Sequence, residues 1–212
     1  MPAIVAGAVT ILATVRTFTE PSTSMENTVR PGDLVVADRT AQVRRGDVIV
    51  EQQPSAGSGY FLRRVIGLPG DHVACCDARG RVTVDGKPLT ETYLYPGDAP
   101  ARNPFSITVP SGKLWLMGDH RSVSYDSREL GPLAARVTGR AFLIIRRGHV
   151  TFLRTPPTFS AQGLAPADGR TPPALIGAYA AGAGLPVLLV LIIFGVIRQA
   201  VLVRRRRRAE TR

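Results

Sequence analysis

Lysine is nearly absent from this chain of 212 residues. Of its 27 Lys and Arg residues, only Lys87 and Lys113 are lysines. Each follows a glycine-containing turn sequence, where a lysine side chain is normally solvated. We therefore expect neither amine to act as a catalytic base.

Cysteine and histidine are also scarce, with two Cys and three His. Cys75 and Cys76 are adjacent, and neither has a second Cys or His at metal-ligand spacing, which argues against a zinc site. Because the peptide link between neighbouring cysteines strains the geometry of a disulfide, we expect two free thiols on a strand or turn. A vicinal disulfide in an oxidising compartment is the alternative.

The positive charge is concentrated near the C-terminal end. The net charge is +11, and residues 198–212 hold seven Arg against one Glu, a net of +6. The other +5 is spread without a dense cluster. A basic stripe with interleaved aromatic residues would indicate nucleic-acid binding, but only this tail approaches one, and it follows an apolar run. Membrane topology explains it better, and no nucleic-acid partner is predicted.

An uncharged run of 24 residues, 174–197, precedes the basic tail. At about 1.5 Å per residue, a helix of this length reaches roughly 36 Å and can cross a hydrocarbon core of about 30 Å. The sequence therefore predicts a transmembrane helix region over residues 174–203. By the positive-inside rule, the basic tail, residues 204–212, lies on the cytoplasmic side.

The N-terminal residues 2–15 are apolar, but only 14 residues precede Arg16 in this run. That length fits a signal-peptide core or a short span, and a tilted helix with a snorkelling Arg16 would still anchor the chain. We predict a short N-terminal membrane anchor within residues 1–19. The two segments together predict a plasma-membrane protein whose middle part lies on the extracytoplasmic side.

Residues 20–154 are predicted to form a mainly β domain, because short β-branched runs alternate with Gly-containing turns. Asp85-Gly86 is a hairpin signal, since this pair fits a type I′ turn. Residues 155–173 are rich in proline and are predicted to form a linker. The predicted strands are Leu34–Ala37, Asp47–Val50, Arg81–Val84, Ser106–Val109, Lys113–Met117 and Gly139–Ile145.

A Ser/Thr-rich loop around Ser24 is the first candidate for chemistry. A nucleophilic serine needs an activating base, oxyanion donors and a substrate groove. Ser22 and Ser24 can supply a hydroxyl and a backbone N–H as such donors. Most loops of this composition are only loops, so these residues alone do not establish an enzyme.

Four segments resemble, in the right order, the sequence boxes of type I signal peptidases. Residues 21–33, Pro-Ser-Thr-Ser-Met-Glu-Asn-Thr-Val-Arg-Pro-Gly-Asp, resemble the nucleophile box S-x-S-M-x-P-T-L. Residues 45–50 resemble the short strand motif that follows it. Residues 63–71, Arg-Arg-Val-Ile-Gly-Leu-Pro-Gly-Asp, are similar to the lysine box K-R-V-I-G-L-P-G-D. Residues 117–128 look like the last box, M-G-D-N-R-x-x-S-x-D-S-R.

This resemblance implies a fold and an activity. The fold would be an all-β catalytic domain of antiparallel sheets with an apolar face near the lipid bilayer. The activity would be that of a membrane-bound serine endopeptidase, which removes signal peptides from exported preproteins at the outer face of the membrane. Its substrates would carry small residues before the cut, in an A-x-A pattern. No metal or organic cofactor is implied.

The resemblance also implies roles for individual residues. Ser24 would attack the scissile carbonyl, and Ser22 would help to hold the oxyanion. The position of the lysine base falls on Arg63, and Ser124 would orient that base. The residues expected to brace the last box structurally are Asp119, Asp126 and Arg128.

Three positions depart from the family pattern, and Arg63 is the serious one. Arg does not release its proton in proteins, and losing a general base typically costs about 10²–10⁴-fold in rate. Asn27 replaces a Pro, and His120 replaces an Asn; a neutral His120 imidazole is an alternative base. The sequence thus leaves two readings: a working peptidase with an unusual base, or a non-catalytic relative that binds preproteins or assists surface-protein assembly.

Overall fold

The computed structural model of the chain describes residues 14–52 and 59–165. These residues form two antiparallel sheets and two short helices, which confirms the mainly β prediction. The strands are β1 (Val15–Thr19), β2 (Leu34–Asp38), β3 (Val48–Gln52), β4 (Phe61–Gly67), β5 (His72–Cys75), β6 (Val82–Val84), β7 (Lys87–Pro88), β8 (Phe105–Thr108), β9 (Trp115–Met117), β10 (Arg136–Arg146) and β11 (His149–Phe152); the helices are α1 (Ser127–Leu130) and α2 (Pro157–Ala161).

The larger sheet has the strand order β1-β2-β10-β3-β4-β9, and β11 also pairs with β10. The eleven residues of β10 pair with β3 at one end and with β2 further along, with register shifts in both pairings. β10 therefore joins the half of the sheet built from β1 and β2 to the half built from β3, β4 and β9.

The smaller sheet has the order β7-β6-β5-β8. Its β6–β7 hairpin turns at Asp85 and Gly86, whose φ angles are 50° and 73°. Positive φ at both central residues is the signature of a type I′ turn, so the predicted hairpin is confirmed. The expectation of free thiols is wrong, because Cys75 and Cys76 form a vicinal disulfide at the end of β5.

The described residues form three buried clusters, and the two larger ones hold the parts of the sheets that position the site. One lies between the smaller sheet, β4 and β9, and includes Val73, Val84, Trp115 and Met117. The other lies in the larger sheet and takes in two residues from the loop after β1, Met25 and Val29, which are fully buried. The second cluster thus fixes the loop that carries Ser24 against the sheet.

The predicted membrane segments lie outside the described residues, apart from residues 14–19. The part of the anchor prediction that can be seen, residues 15–19, is strand β1, paired with β2. Within residues 14–52 and 59–165, no helix is both long enough and apolar enough to cross a bilayer. The start of the predicted linker is structured, because α2 buries Phe159 against Gly46.

Candidate active site

Ser24 lies in the loop that joins β1 to β2. The base of this loop is closed by two backbone hydrogen bonds, from Glu20 N to Asp33 O at 3.1 Å and from Gly32 N to Glu20 O at 2.8 Å. Met25, the next residue after Ser24, is completely buried. The loop is therefore held at both ends and in its middle, and Ser24 has a defined position.

The Ser24 hydroxyl has two hydrogen-bond partners among the described side chains. Arg63 Nη1 donates to Ser24 Oγ over 2.9 Å. Ser22 Oγ lies 3.0 Å from Ser24 Oγ on another side. The structure thus brings together the predicted nucleophile, the predicted oxyanion residue and the residue at the position of the base.

Arg63 reaches Ser24 from β4, where it pairs opposite Ile49 of β3. It is only 4% exposed. The guanidinium is fixed by two backbone carbonyls, since Nη1 also donates to Leu62 O at 2.8 Å and Nη2 donates to Tyr125 O at 3.0 Å. Arg63 therefore ties β4 to the nucleophile loop and to the last box.

Burial lowers the pKa of the Arg63 guanidinium, and the nearby charges of Asp126, Glu51 and Glu20 oppose that shift. Arg starts from so high a value that it keeps its proton. The group beside Ser24 is thus a fixed cation, able to stabilise negative charge on oxygen but unable to accept the proton of the hydroxyl.

Glu20 is a site residue that sequence reasoning missed. Its Oε1 accepts hydrogen bonds from Ser22 N at 2.8 Å and from Ser22 Oγ at 2.6 Å. Glu20 is 2% exposed. No local pattern pointed to it, because residues 22–24 lie in bends and turns, where the two-residue alternation of an extended segment does not apply.

Burial raises the pKa of the Glu20 carboxyl, although the hydrogen bonds from Ser22 and the charge of Arg63 act against the shift. A carboxylate with a raised pKa is a better proton acceptor than an ordinary exposed one. Since both donor groups of Ser22 point to Glu20, the Ser22 O–H is not directed at a substrate oxyanion in this structure.

His120 lies on another side of the nucleophile loop. Its Nδ1 is 3.2 Å from Thr23 O and 3.7 Å from a carboxylate oxygen of Glu26. Its ring stacks on Tyr95 with 3.8 Å between centroids. No hydrogen bond among the described residues joins this ring to Ser24 Oγ, so the suggested role as base has no direct geometric support.

Ser124 also differs from its expected placement. Its hydroxyl donates to Asp126 Oδ2 at 2.7 Å. The groups seen to fix the Arg63 guanidinium are instead the carbonyls of Leu62 and Tyr125. Ser124 is therefore linked to Arg63 only through the neighbouring residues of its loop.

Asp126 organises the last box from its interior. It is fully buried and caps α1. Its carboxylate accepts from Gly118 N at 2.8 Å and from Arg128 Nε at 2.9 Å. Although burial works in the opposite direction, the hydrogen bonds and charge of Arg128 lower the pKa of Asp126. It is therefore an ionised structural group.

Asp119 forms the second ionic link of this region, with Arg64. Arg64 Nε donates to Asp119 Oδ1 at 2.8 Å, and Arg64 Nη2 lies 2.5 Å from Asp119 Oδ2. Thr28 also donates to Asp119. Gly118, just before it, leaves no space for a side chain, because a Cβ there would clash with Ser124 and the Ser24 carbonyl. The last box and the nucleophile loop are in direct contact.

The described residues contain no group of three or more His, Cys, Asp or Glu placed to hold a metal ion. The groups around Ser24 are a guanidinium, a second hydroxyl and a buried carboxylate. This set is suited to acyl transfer by a serine, with charge stabilisation supplied by side chains.

Comparison with known proteins agrees with this geometry. Residues 1–146 match the family model described as signal peptidase, peptidase S26. This chain belongs to the signal peptidase family. Ser24 and Arg63 both lie within the matched range, so the candidate site falls in the part of the chain that the family model covers.

Individual relatives of this chain are also named as signal peptidases. The chain is 33% identical over 151 residues to a probable signal peptidase I-2 of Synechocystis sp., covering 64% of this chain and 67% of that protein. It is 34% identical over 134 residues to a signal peptidase I of Leptolyngbya laminosa, covering 57% of this chain and 64% of that protein. The chain thus spans about two thirds of the length of these curated relatives.

A solved signal peptidase I from Enterococcus faecalis V583 shares 27% identity with this chain. The match covers 47% of this chain and 97% of that one, with a TM-score of 0.40. A value this low carries no argument about the fold, and the family assignment rests on the sequence match.

Proposed function

We propose that this chain is a membrane-bound serine endopeptidase that removes signal peptides from exported preproteins, with Ser24 as its nucleophile. The supporting observation is the 2.9 Å hydrogen bond from Arg63 to Ser24 Oγ, which joins the nucleophile box to the lysine box. Membership of the signal peptidase family supports the substrate class, and relatives bear the name signal peptidase I.

In this proposal the β domain lies on the extracytoplasmic side of the plasma membrane. The transmembrane segments predicted at the two ends hold it beside the bilayer, and the tail of residues 204–212 is cytoplasmic. Preproteins with small residues before the cut bind at Ser24. Asp119, Asp126 and Arg128 brace the last box, and no metal or cofactor takes part.

Arg63 stabilises the negative charge that develops at Ser24 during attack, since its guanidinium is fixed before the reaction begins. Ser22 was predicted to contribute an oxyanion donor, and it would have to release Glu20 to do so. Ser124 supports the loop that presents Tyr125 O to Arg63.

The fixed cation also favours a second candidate function. A groove with Arg63 in the base position would still bind a signal peptide but would lack a direct proton acceptor. In that case the chain is a non-catalytic relative that binds preproteins or assists the assembly of surface proteins.

Cleavage of a preprotein with an A-x-A site separates the two functions. The full-length chain in detergent is compared with Ser24→Ala and Arg63→Lys. For a peptidase, the native chain cleaves and Ser24→Ala does not, while Arg63→Lys raises the rate because an amine can act as base. For the non-catalytic relative, the native chain is as inactive as Ser24→Ala, and only Arg63→Lys gains activity.

A further inference from the structure

A peptidase with a fixed cation at the usual base position must send the proton of its serine elsewhere. Ser24 Oγ accepts from Arg63, so the hydrogen of Ser24 is free to point at its other neighbour, Ser22 Oγ, 3.0 Å away. The hydrogen of Ser22 in turn points at Glu20 Oε1, 2.6 Å away. The donor directions therefore run one way, from Ser24 through Ser22 to Glu20.

We propose that Glu20 is the proton acceptor of this peptidase and that it acts through the Ser22 hydroxyl. This inference rests on the proposed function and replaces the oxyanion role predicted for Ser22. Arg63 then acts as the cation that stabilises the Ser24 oxygen.

The burial of Glu20 supports this role. The residue is 2% exposed, and its second oxygen, Oε2, has no hydrogen-bond partner among the described residues. A buried carboxylate that lacks donors on one oxygen is more basic than one surrounded by water. Its Oε1 is held in place by Ser22 N as well as by Ser22 Oγ, so the short contact is fixed by the backbone.

The steps balance in the following order. Ser24 Oγ forms a bond to the scissile carbonyl carbon, and the π electrons of the carbonyl move to its oxygen. The Ser24 proton passes to Ser22 Oγ, while the Ser22 proton passes to Glu20. When the tetrahedral intermediate collapses, the carbonyl re-forms and the carbon–nitrogen bond breaks; Ser22 Oγ gives its proton to the leaving amine and receives one from Glu20. Water then attacks the acyl-enzyme, loses a proton along the same path, and Ser24 leaves with that proton.

Two charges face Glu20 besides the Ser22 hydrogen bonds. Arg63 of β4 lowers the pKa of the carboxyl, and Asp33, the residue before β2, raises it. Asp33 is itself paired with Arg146 of β10 at 2.6 Å. Burial outweighs these influences and raises the pKa of Glu20. Activity should therefore fall as the pH drops through a value above that of an ordinary glutamate.

The chain contains a matched control for Glu20. Asp38 also accepts from the backbone N and the hydroxyl of a residue two positions on, Thr40, at 2.8 and 2.7 Å. Asp38 is 1% exposed, and its second oxygen likewise has no hydrogen-bond partner among the described residues. It differs from Glu20 in that the Thr40 hydroxyl does not lead to Ser24.

The test measures kcat/KM against pH for full-length proteins in detergent with an A-x-A preprotein. Glu20→Gln keeps a hydrogen-bond acceptor for Ser22 but cannot take a proton, so we expect a loss of about 10²–10⁴-fold. Ser22→Ala should cost a similar amount, and the two changes together should cost no more than one, because they break a single path. Asp38→Asn should keep the native rate and pH profile.

Rescue distinguishes a proton path from a structural contact. In the double variant Glu20→Gln/Arg63→Lys, a lysine beside Ser24 can accept the proton directly. We expect cleavage to recover at alkaline pH, with the acidic limb set by an amine instead of a carboxyl.

Three outcomes would overturn the inference. Ser24-dependent cleavage by the native chain with an unchanged rate and pH profile in Glu20→Gln would remove Glu20 from the path and leave the proposed function standing. Cleavage by Arg63→Lys but not by the native chain would show that Glu20 is no base. No cleavage by any of these proteins would overturn the proposed function itself.

Discussion

Arg63 and Arg64 are neighbours on β4 with opposite environments, because successive side chains of a strand point to opposite faces. Arg64 meets the carboxylate of Asp119 through two nitrogens, and its guanidinium lies 4.1 Å from the Tyr93 ring centroid. Burial alone would lower its pKa, but Asp119 more than compensates and the pKa is raised. The pKa of Arg63 is lowered instead.

The guanidinium groups of Arg64 and Arg63 also differ in how completely their nitrogens are hydrogen-bonded. All three nitrogens of the Arg64 guanidinium donate, to Asp119 and Gly46 O. Arg63 donates to Ser24, Leu62 O and Tyr125 O, while its buried Nε has no hydrogen-bond partner within residues 14–52 and 59–165. Functional sites are where proteins tolerate such incomplete satisfaction. Arg64 stabilises the domain through its ion pair with Asp119, whereas Arg63 places a positive charge beside Ser24.

Among the substitutions that test this difference between the two arginines, Arg64→Met should have the largest effect on stability. The substitution leaves Asp119 fully buried without its cation, and breaking a buried ion pair by removing one partner costs about 3–5 kcal/mol. The free energy of unfolding is measured by urea titration of the full-length chain in detergent. Arg81→Met is the control, because Arg81 pairs with Asp77 and the two side chains are 31% and 22% exposed, and a pair that water reaches contributes little to stability. Equal losses would mean that Asp119 is reached by water.

Arg63→Met tests the other arginine, for which we expect a smaller loss of stability than for Arg64→Met. The change leaves two carbonyl oxygens without donors but also removes a buried charge, so we expect a net loss of about 1–2 kcal/mol. The same urea titration measures it. Cleavage should fall together with it, because Ser24 loses its cation. A loss of stability as large as that of Arg64→Met would contradict the separation of roles.

The smallest effect is in the pH dependence of stability, where Glu20 and Asp126 should act with opposite signs. Burial raises the pKa of Glu20 in the folded protein, so its stabilising contribution is full at low pH and is lost as the pH rises through that value. Arg128 lowers the pKa of Asp126 despite burial, so that contribution is present at neutral pH and is lost as the pH falls.

Urea titrations between about pH 3 and pH 7, the range in which carboxyls titrate, check these signs. As the pH rises, the free energy of unfolding of Glu20→Gln should increase relative to that of the native chain. That of Asp126→Asn should decrease relative to the native chain over the same range. Parallel curves for the two variants would show that the two carboxyls share one environment. A gain in stability with a loss of cleavage would identify Glu20 as a residue kept for activity.

The sequence predicted the parts of the fold that local chemistry determines. Asp85-Gly86 gave the hairpin, and the β-branched run at Leu34–Ala37 gave β2. β4 was seen only as a motif, because two adjacent arginines in its middle disguise a buried strand. Their burial depends on carboxylates such as Asp119, which is 55 residues from Arg64. No local pattern carries that information.

The sequence likewise predicted some residues of the candidate site and missed others. Family resemblance identified Ser24 and Arg63, and the structure brings them into contact. Glu20 was missed because a lone Glu before a proline reads as a solvated residue. Its burial becomes evident only in the folded loop, where Glu20 N donates to Asp33 O and the residue is 2% exposed. The predicted transmembrane parts lie mostly outside the described residues and stay predictions.

The position of β10 also affects when activity can begin. This strand starts at Arg136, yet it lies between β2 and β3, which are complete by Gln52. Contacts between segments so far apart form slowly, because a long loop must close first. A chain still being made would carry Ser24 and Arg63 without the strand that joins their two halves of the sheet. The proposed peptidase site is therefore incomplete until synthesis has reached β10.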